Sequence, residues 1–212
     1  MILTALLLAV QVAAQDPRLA RLDPETRSLV IVVVDSASAA GLPSEPLIQR
    51  ALEGAAKSAQ GARIVAAVRR LATDLGTART ALGPSASAPE LEAGVAALRA
   101  GASPLVLTRL RDVRRPPLTM ALSVLADLVA SGVPTDSASA VVLALAPSAR
   151  DADLVEYRRA VERDISLGAP PGAAAAVRAL NTGVRSDVLS SGSGNPGQPP
   201  RPPSRPSPPR QP

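Results

Sequence analysis

The chain has 212 residues and lacks Cys, His, Trp and Phe altogether. Without Cys it forms no disulfide, no thiolate nucleophile, no cysteine-type zinc site and no iron–sulfur cluster. Without His it has no Ser-His-Asp triad and no His-ligated metal. Phosphate-binding loops, dinucleotide fingerprints and nucleophile elbows are also missing from the sequence. We therefore expect no cofactor and no metal.

The charge is modestly basic, with 23 Lys and Arg against 18 Asp and Glu for a net +5. This bias favours anionic envelope polymers or membranes as contacts. Nucleic acid is not an expected partner, because no aromatic residues interleave with basic patches.

The N-terminus is typical of a signal peptide over 1–14. Ile2–Val10 is an apolar run too short to span a bilayer, and Val12 and Ala14 place small residues at −3 and −1 of a cleavage site. A secreted or periplasmic protein is predicted; the alternative is a buried N-terminal helix. No later run reaches 18 apolar residues, so no membrane span is expected once the signal is removed. Residues 15–22 are interpreted as an extended leader.

Helix signals recur through an expected all-helical domain, 23–182. Asp23 and Ser44 are predicted N-caps, and Gly and Pro separate the helices. The run Leu29–Val34 is β-branched and suits a buried strand, but no similar run exists to pair with it, so we predict helix. The predicted helices are 24–40, 45–59, 61–82, 89–100, 104–114, 118–131, one from Thr135, 151–166 and 171–180.

The third helix gives the clearest pattern in the sequence. Its apolar residues recur at alternating spacings of four and three, which form one helical face. Arg63, Arg70, Asp74 and Thr77 lie off that face. The apolar positions are Ile64, Val68, Leu71, Leu75, Ala78 and Leu82.

An internal repeat is predicted at an offset of 91 residues. Gly41-Leu42-Pro43-Ser44-Glu45 corresponds to Gly132-Val133-Pro134-Thr135-Asp136, and apolar positions align on both sides. We predict two related three-helix units, 24–82 and 117–167, joined by a two-helix connector and stacked as a solenoid or packed as two bundles. Ser148 and Asp151 have the spacing of a capping box.

The candidate site residues are arginines. Arg109, Arg111, Arg114 and Arg115 form the densest basic cluster of the helical part, suited to an anion or a partner. The alternative is a favourable position of cations at a helix C-terminus. Tyr157 is expected to pack its ring between helices with its hydroxyl in solvent.

The C-terminal segment, 186–212, is rich in Ser, Gly and Pro and is predicted to be a disordered tail. Its cations Arg201, Arg205 and Arg210 alternate with prolines, as in a tether or a proline-rich ligand. The alternative is a solvated tail with no partner.

These features predict an exported, non-catalytic helical module for binding or scaffolding in the cell envelope, with a protein or another envelope component as its partner. A second hypothesis is a basic protein that binds an anion or an envelope polymer. A third is a small hydrolase that uses only carboxylates, which needs two of them about 5–9.5 Å apart.

Overall fold

The computed structural model describes residues 16–182, and within that range every regular element is helical, as predicted. A short 3-10 helix, Pro17–Arg21, precedes the nine α-helices. The α-helices are α1 Pro24–Ala39, α2 Glu45–Ala56, α3 Gly61–Leu82, α4 Ala88–Ala100, α5 Pro104–Val113, α6 Thr119–Ala130, α7 Thr135–Leu145, α8 Asp151–Ser166 and α9 Pro171–Asn181.

The predicted extended leader is wrong for its described part. The Asp16 carboxylate accepts a hydrogen bond from the Arg18 backbone N–H at 2.9 Å and starts the 3-10 turn. Leu19 and Leu22 are then buried against the body of the protein. Two apolar side chains therefore anchor this segment, which composition alone did not indicate.

The β-branched run Leu29–Val34 is helical, as predicted, and lies inside α1. Val30 and Val34, four residues apart, are fully buried, whereas Val32 on the opposite side is 65% exposed. A period of four fits a helix that buries one face. Packing on that face outweighs the weak local preference of valine for strands.

Several helices end in the same type of turn. In it, a residue with positive φ turns the chain back, so that backbone N–H groups after the helix donate to its last carbonyl oxygens. After α1, Gly41 has φ 74° and Leu42 N–H donates to Ala37 O at 2.9 Å. After α2, the positive φ falls on Ser58 (52°), so α2 ends at Ala56 rather than at the predicted 59.

Two predicted caps at helix starts differ from the structure. Ser44 precedes α2, but its side chain makes no capping hydrogen bond. Before α8 the Ser148 box is wrong: Arg150 N–H donates to Asp153 Oδ2 at 2.9 Å, two residues further along. Asp23, by contrast, caps α1 as predicted, with its carboxylate accepting from Thr26 N–H at 2.9 Å.

The helices form a stack, with α3 as its longest member. α3 packs against α1, α2, α4 and α5. From there α4, α6 and α8 form one row, while α5, α7 and α9 form a second row. The first-row helices begin 31 and then 32 residues apart, at Ala88, Thr119 and Asp151. This is the solenoid alternative of the prediction.

The predicted second three-helix unit is not a copy of the first. In the first, α3 packs against both α1 and α2, whereas α8 packs against α6 and α9. α7 instead packs against α5, α6 and α9. The offset of about 91 therefore relates the hairpin α1–α2 to the hairpin α6–α7 and the packing of α3 on α1 to that of α8 on α6, whereas the packing of α3 on α2 has no equivalent of similar extent.

Candidate functional site

The predicted cluster, on α5 and just after it, divides into two arginines that bind backbone carbonyls and two that do not. Arg111 donates from Nη1 to Ala81 O at 3.0 Å, in the last turn of α3. Arg114 donates to Ala146 O at 2.9 Å and pairs with Asp151. Arg109 and Arg115 are exposed and form no salt bridge within residues 16–182.

Two members of the cluster thus join α5 to other helix ends. The last turn of a helix leaves carbonyl oxygens without intrahelical partners, and a guanidinium supplies several donors in one plane. Arg79 acts similarly, donating to Gly41 O at 2.7 Å and to Pro84 O at 2.6 Å. The C-terminal arginines Arg201, Arg205 and Arg210 lie outside the described residues.

A second basic region was not predicted as a site. It is an open groove of about 500 Å³ between α2, α3 and α4, which we name the arginine groove. Three arginines from three different helices border it, namely Arg50, Arg70 and Arg99, while Ala67 and Leu98 supply apolar surface. Two smaller hollows adjoin the groove: one shares Arg50 and Ala67 with it, and the other shares Arg50 and Arg99.

The residues of α3 that line the arginine groove, or the hollow beside it, lie on one face of the helix. Arg63, Ala67, Arg70 and Asp74 follow a four, three, four spacing, so they lie on one helical face. The sequence had placed Arg63, Arg70 and Asp74 off the apolar face. It had not shown that α2 and α4 bring further arginines to the same face, because those contacts join residues distant in the chain.

Cations outnumber anions along the groove. Arg99 pairs with Asp74 at 2.8 Å and Arg50 with Glu53 at 3.3 Å, and all four side chains remain partly in solvent. The third acid is Glu92. The cations that border the groove and its side hollows without a salt bridge to a described residue are Lys57, Arg63 and Arg70.

A third feature is an open groove of about 630 Å³ at the other end of the stack, where α7 ends between α8 and α9; we name it the C-terminal groove. Its apolar lining residues are Leu145, Ala149, Tyr157 and Ala160, and Thr182 lines it as well. Its charged lining residues are Asp153, Glu156, Arg163 and Arg178.

Tyr157 differs from its prediction. The residue is 3% exposed and its hydroxyl donates to Ala175 O at 2.8 Å, so the hydroxyl is buried rather than in solvent. Burial raises the pKa of this phenol far above its ordinary range. A neutral phenol bound to a backbone carbonyl joins α8 to α9 and is unsuited to acid catalysis.

Glu90 is the buried carboxylate of the described chain, at 5% exposure. Its Oε2 accepts from Ser87 N–H and its Oε1 from Leu118 N–H, both at 2.8 Å. Desolvation raises the pKa of Glu90, but these backbone hydrogen bonds outweigh it and hold the pKa below the ordinary value. The ionised side chain therefore fastens the starts of α4 and α6 together.

Residues 16–182 hold no group of three potential metal ligands, and none of their helices is both long and apolar enough to cross a membrane. The chain matches no family model, no curated protein sequence and no solved structure. The grooves themselves are thus the basis for an argument about function.

Proposed function

We propose that this protein is an exported, non-catalytic binding module of the cell envelope, and that it holds an acidic segment of a partner protein in the arginine groove. The observation that carries the proposal is the approach of Arg50, Arg70 and Arg99 to one groove from three separate helices. A guanidinium fork matches a carboxylate in a bidentate geometry, which favours Asp and Glu side chains as ligands.

The salt bridges within the groove support an exchangeable site. Arg50 and Arg99 are 37% and 36% exposed in their side chains, so their pairs with Glu53 and Asp74 are close to water. Exposed pairs of this kind contribute only about 0–1 kcal/mol each. An incoming carboxylate could therefore replace an internal partner at small cost, and Arg63 and Arg70 have no pair to break.

The apolar part of the groove favours a protein segment over a uniformly charged polymer. Ala67 and Leu98 lie among the arginines, and Leu71, Val95 and Ala96 line the adjoining hollow. Apolar side chains between acidic ones would cover this surface, whereas a polyanion would leave it in water. No described aromatic residue lines the groove to stack on sugar rings.

The binding test compares matched arginine pairs. A fluorescent peptide of alternating Glu and Leu serves as the probe, and its anisotropy gives Kd for the wild type and for R63A/R70A. We expect R63A/R70A to raise Kd at least tenfold, and the affinity to fall as salt is added. R109A/R115A is the control, since it removes the same charge from two exposed positions, one on α5 and one just after it.

If R63A/R70A and R109A/R115A lose the same amount of peptide affinity, binding responds to net charge alone. That result would reject the arginine groove as the binding site. Poly-glutamate binding as tightly as the mixed peptide would favour the polymer hypothesis instead. No binding of either probe at low salt would reject both.

Export is tested independently. The N-terminal residue of the protein recovered from the secreted or periplasmic fraction should be Gln15, which follows Val12 and Ala14. A cytoplasmic chain that retains Met1 would overturn this part of the proposal.

A further inference from the structure

The face of α3 beside the arginine groove carries two cations at a regular spacing. Arg63 and Arg70 are seven residues apart, so their Cα atoms are separated by about 10.5 Å along the axis of α3. Ala67 lies between them, four residues after the first and three before the second. Both arginines are exposed, and neither has a salt bridge to a described residue. This face therefore offers two available cations on either side of a small apolar residue.

An α-helix fits this spacing better than an extended strand does. Residues seven apart on a helix share one face at a separation of about 10.5 Å, with a third residue of that face between them. Residues that share one face of a strand are about 6.6 or 13 Å apart. Two acids of a helix can therefore face Arg63 and Arg70 together, whereas a strand in register with one arginine is displaced by about 3 Å from the other.

The surface beside these arginines lets a second helix come close. Ala67 is half-buried and short, and the adjoining hollow toward α2 is lined by Gly54 and Ala59. A Cβ on Gly54 would lie 2.7 Å from Ile64 Cγ1, so the glycine allows α2 to lie close against α3 here. Packed helix axes are about 8–10 Å apart, depending on the side chains at the contact. A bound helix can thus place a large apolar side chain over Ala67.

The charges along α3 favour one direction for such a helix. Lys57 and Arg63 line the hollow at the end where α3 begins. Asp74, which pairs with Arg99, lies about three turns further along α3. The C-terminus of a helix carries partial negative charge and its N-terminus partial positive charge. A bound helix is therefore favoured antiparallel to α3, with its C-terminus toward Lys57.

Resting on the proposed function, we infer that the acidic segment held in the arginine groove is an α-helix of about three turns, antiparallel to α3. Its sequence contains Glu-x-x-Leu-x-x-x-Glu, in which Leu represents a large apolar residue. The first Glu faces Arg70, the Leu covers Ala67 and the second Glu faces Arg63. Arg50 and Arg99, from α2 and α4, remain for acids on the sides of the bound helix.

Four fluorescent peptides test the shape of the ligand. Three have one composition, rich in Ala, with two Glu and one Leu in about 20 residues so that each forms a helix. The first carries Glu-x-x-Leu-x-x-x-Glu and the second the reversed order, Glu-x-x-x-Leu-x-x-Glu. The third has its two Glu five residues apart, on different faces. The fourth is the first peptide with one central Ala replaced by Pro, which breaks the helix and keeps the charge.

Anisotropy at low salt gives Kd for each peptide. We expect the first peptide to bind at least about tenfold more tightly than the third and the fourth, because only a helix with both acids on one face meets both arginines. The second peptide should bind less tightly than the first, since it matches a parallel helix.

Paired substitutions test the register of the bound helix. Changing the first Glu of the peptide to Gln should weaken binding to the wild type but have little effect on binding to R70A. The second Glu should be coupled in the same way to R63A. The two crossed pairs, in which each Glu is combined with the other arginine, should be additive.

A substitution at the centre of the face tests the close approach. A67L should raise Kd at least about tenfold, because its side chain occupies the place of the ligand's Leu. A66L is the matched control, since Ala66 is exposed on α3 one residue earlier and points about 100° away. It should leave Kd nearly unchanged, and circular dichroism verifies that both variants are folded.

Failure of this inference differs from failure of the proposed function. If the first and fourth peptides bind equally and both lose affinity in R63A/R70A, the arginine groove is retained and the helix is rejected. Tighter binding of the second peptide, or coupling in the crossed pairs, would reject the antiparallel direction. Equal effects of A67L and A66L would reject the close approach. If no peptide responds to R63A/R70A, the arginine groove itself is rejected.

Discussion

The hairpins α1–α2 and α6–α7 share one turn but have different surroundings. Around Gly41 the N–H groups of Ala40, Gly41 and Leu42 donate to Ser36, Ser38 and Ala37. Around Gly132 those of Ser131, Gly132 and Val133 donate to Asp127, Val129 and Leu128, with each partner shifted by 91. After α8 the N–H groups of Leu167, Gly168 and Ala169 donate to Arg163, Ile165 and Asp164 in the same pattern. A glycine, an apolar residue and a proline thus build this turn three times in the described chain.

The helices before the two turns have different exposures. α1 lies at one end of the stack and leaves Leu29 40% and Val32 65% exposed. α6 lies between α4 and α8, and the equivalent residues Met120 and Ser123 are both half-buried. Local sequence therefore sets the turn, while the number of neighbouring helices sets how much of each helix is buried.

The largest expected difference between the hairpins concerns one apolar side chain in each. Leu122 is fully buried, whereas Ile31, its equivalent 91 residues earlier, is partly exposed. L122A should lower the free energy of unfolding by about 3–5 kcal/mol because it leaves a cavity between helices. I31A should lower it by only about 1–2 kcal/mol. Chemical denaturation measures both, and equal losses would contradict the proposed difference in burial.

The next effect concerns two carboxylates that accept hydrogen bonds at helix starts, namely Glu90 at the starts of α4 and α6 and Asp23 at the start of α1. E90Q should lower the free energy of unfolding by about 1–3 kcal/mol, since an amide cannot serve both buried N–H donors as an ionised carboxylate does. D23N, at the exposed start of α1, should have a smaller effect.

The dependence of stability on pH tests the role of the Glu90 carboxylate further. The pKa of Glu90 is lowered from its ordinary 4.5, so the unfolded chain binds protons more readily. The Glu90 contribution is complete above about pH 4.5 and is lost as the pH falls through the folded pKa. Urea midpoints between pH 6 and 3 should fall less steeply in E90Q than in the wild type. Parallel curves would argue against an ionised Glu90.

The smallest expected difference is between the glycines of the two turns. Gly41 and Gly132 both have positive φ, so G41A and G132A should each lower the free energy of unfolding by about 1–2 kcal/mol. A side chain at 41 meets open space, but at 132 its Cβ would lie 3.3 Å from Pro171 Cγ. G132A should therefore lose up to about 1 kcal/mol more. Thermal unfolding compares the two, and a larger loss in G41A would contradict this.

Sequence reasoning found the local features and missed the distant contacts. Helix type, the Asp23 cap and the Gly turns depend on residues within one or two turns of each other. The Tyr157 hydroxyl and the carbonyl partners of Arg79, Arg111 and Arg114 depend on segments that are 18 to 38 residues away. The arginine groove was missed for the same reason, although the spacing of Arg63 and Arg70 on α3 was already visible.

The sequence by itself determined an all-helical chain of small apolar residues, without disulfides or imidazole, divided by Gly and Pro at readable positions. These properties follow from backbone geometry and side-chain chemistry that each short segment carries with it. Only the tertiary structure decided which helices lie inside the stack, which arginines serve backbone carbonyls and which border a groove. Those outcomes depend on where separate helices meet, and long-range packing rather than local preference fixes that arrangement.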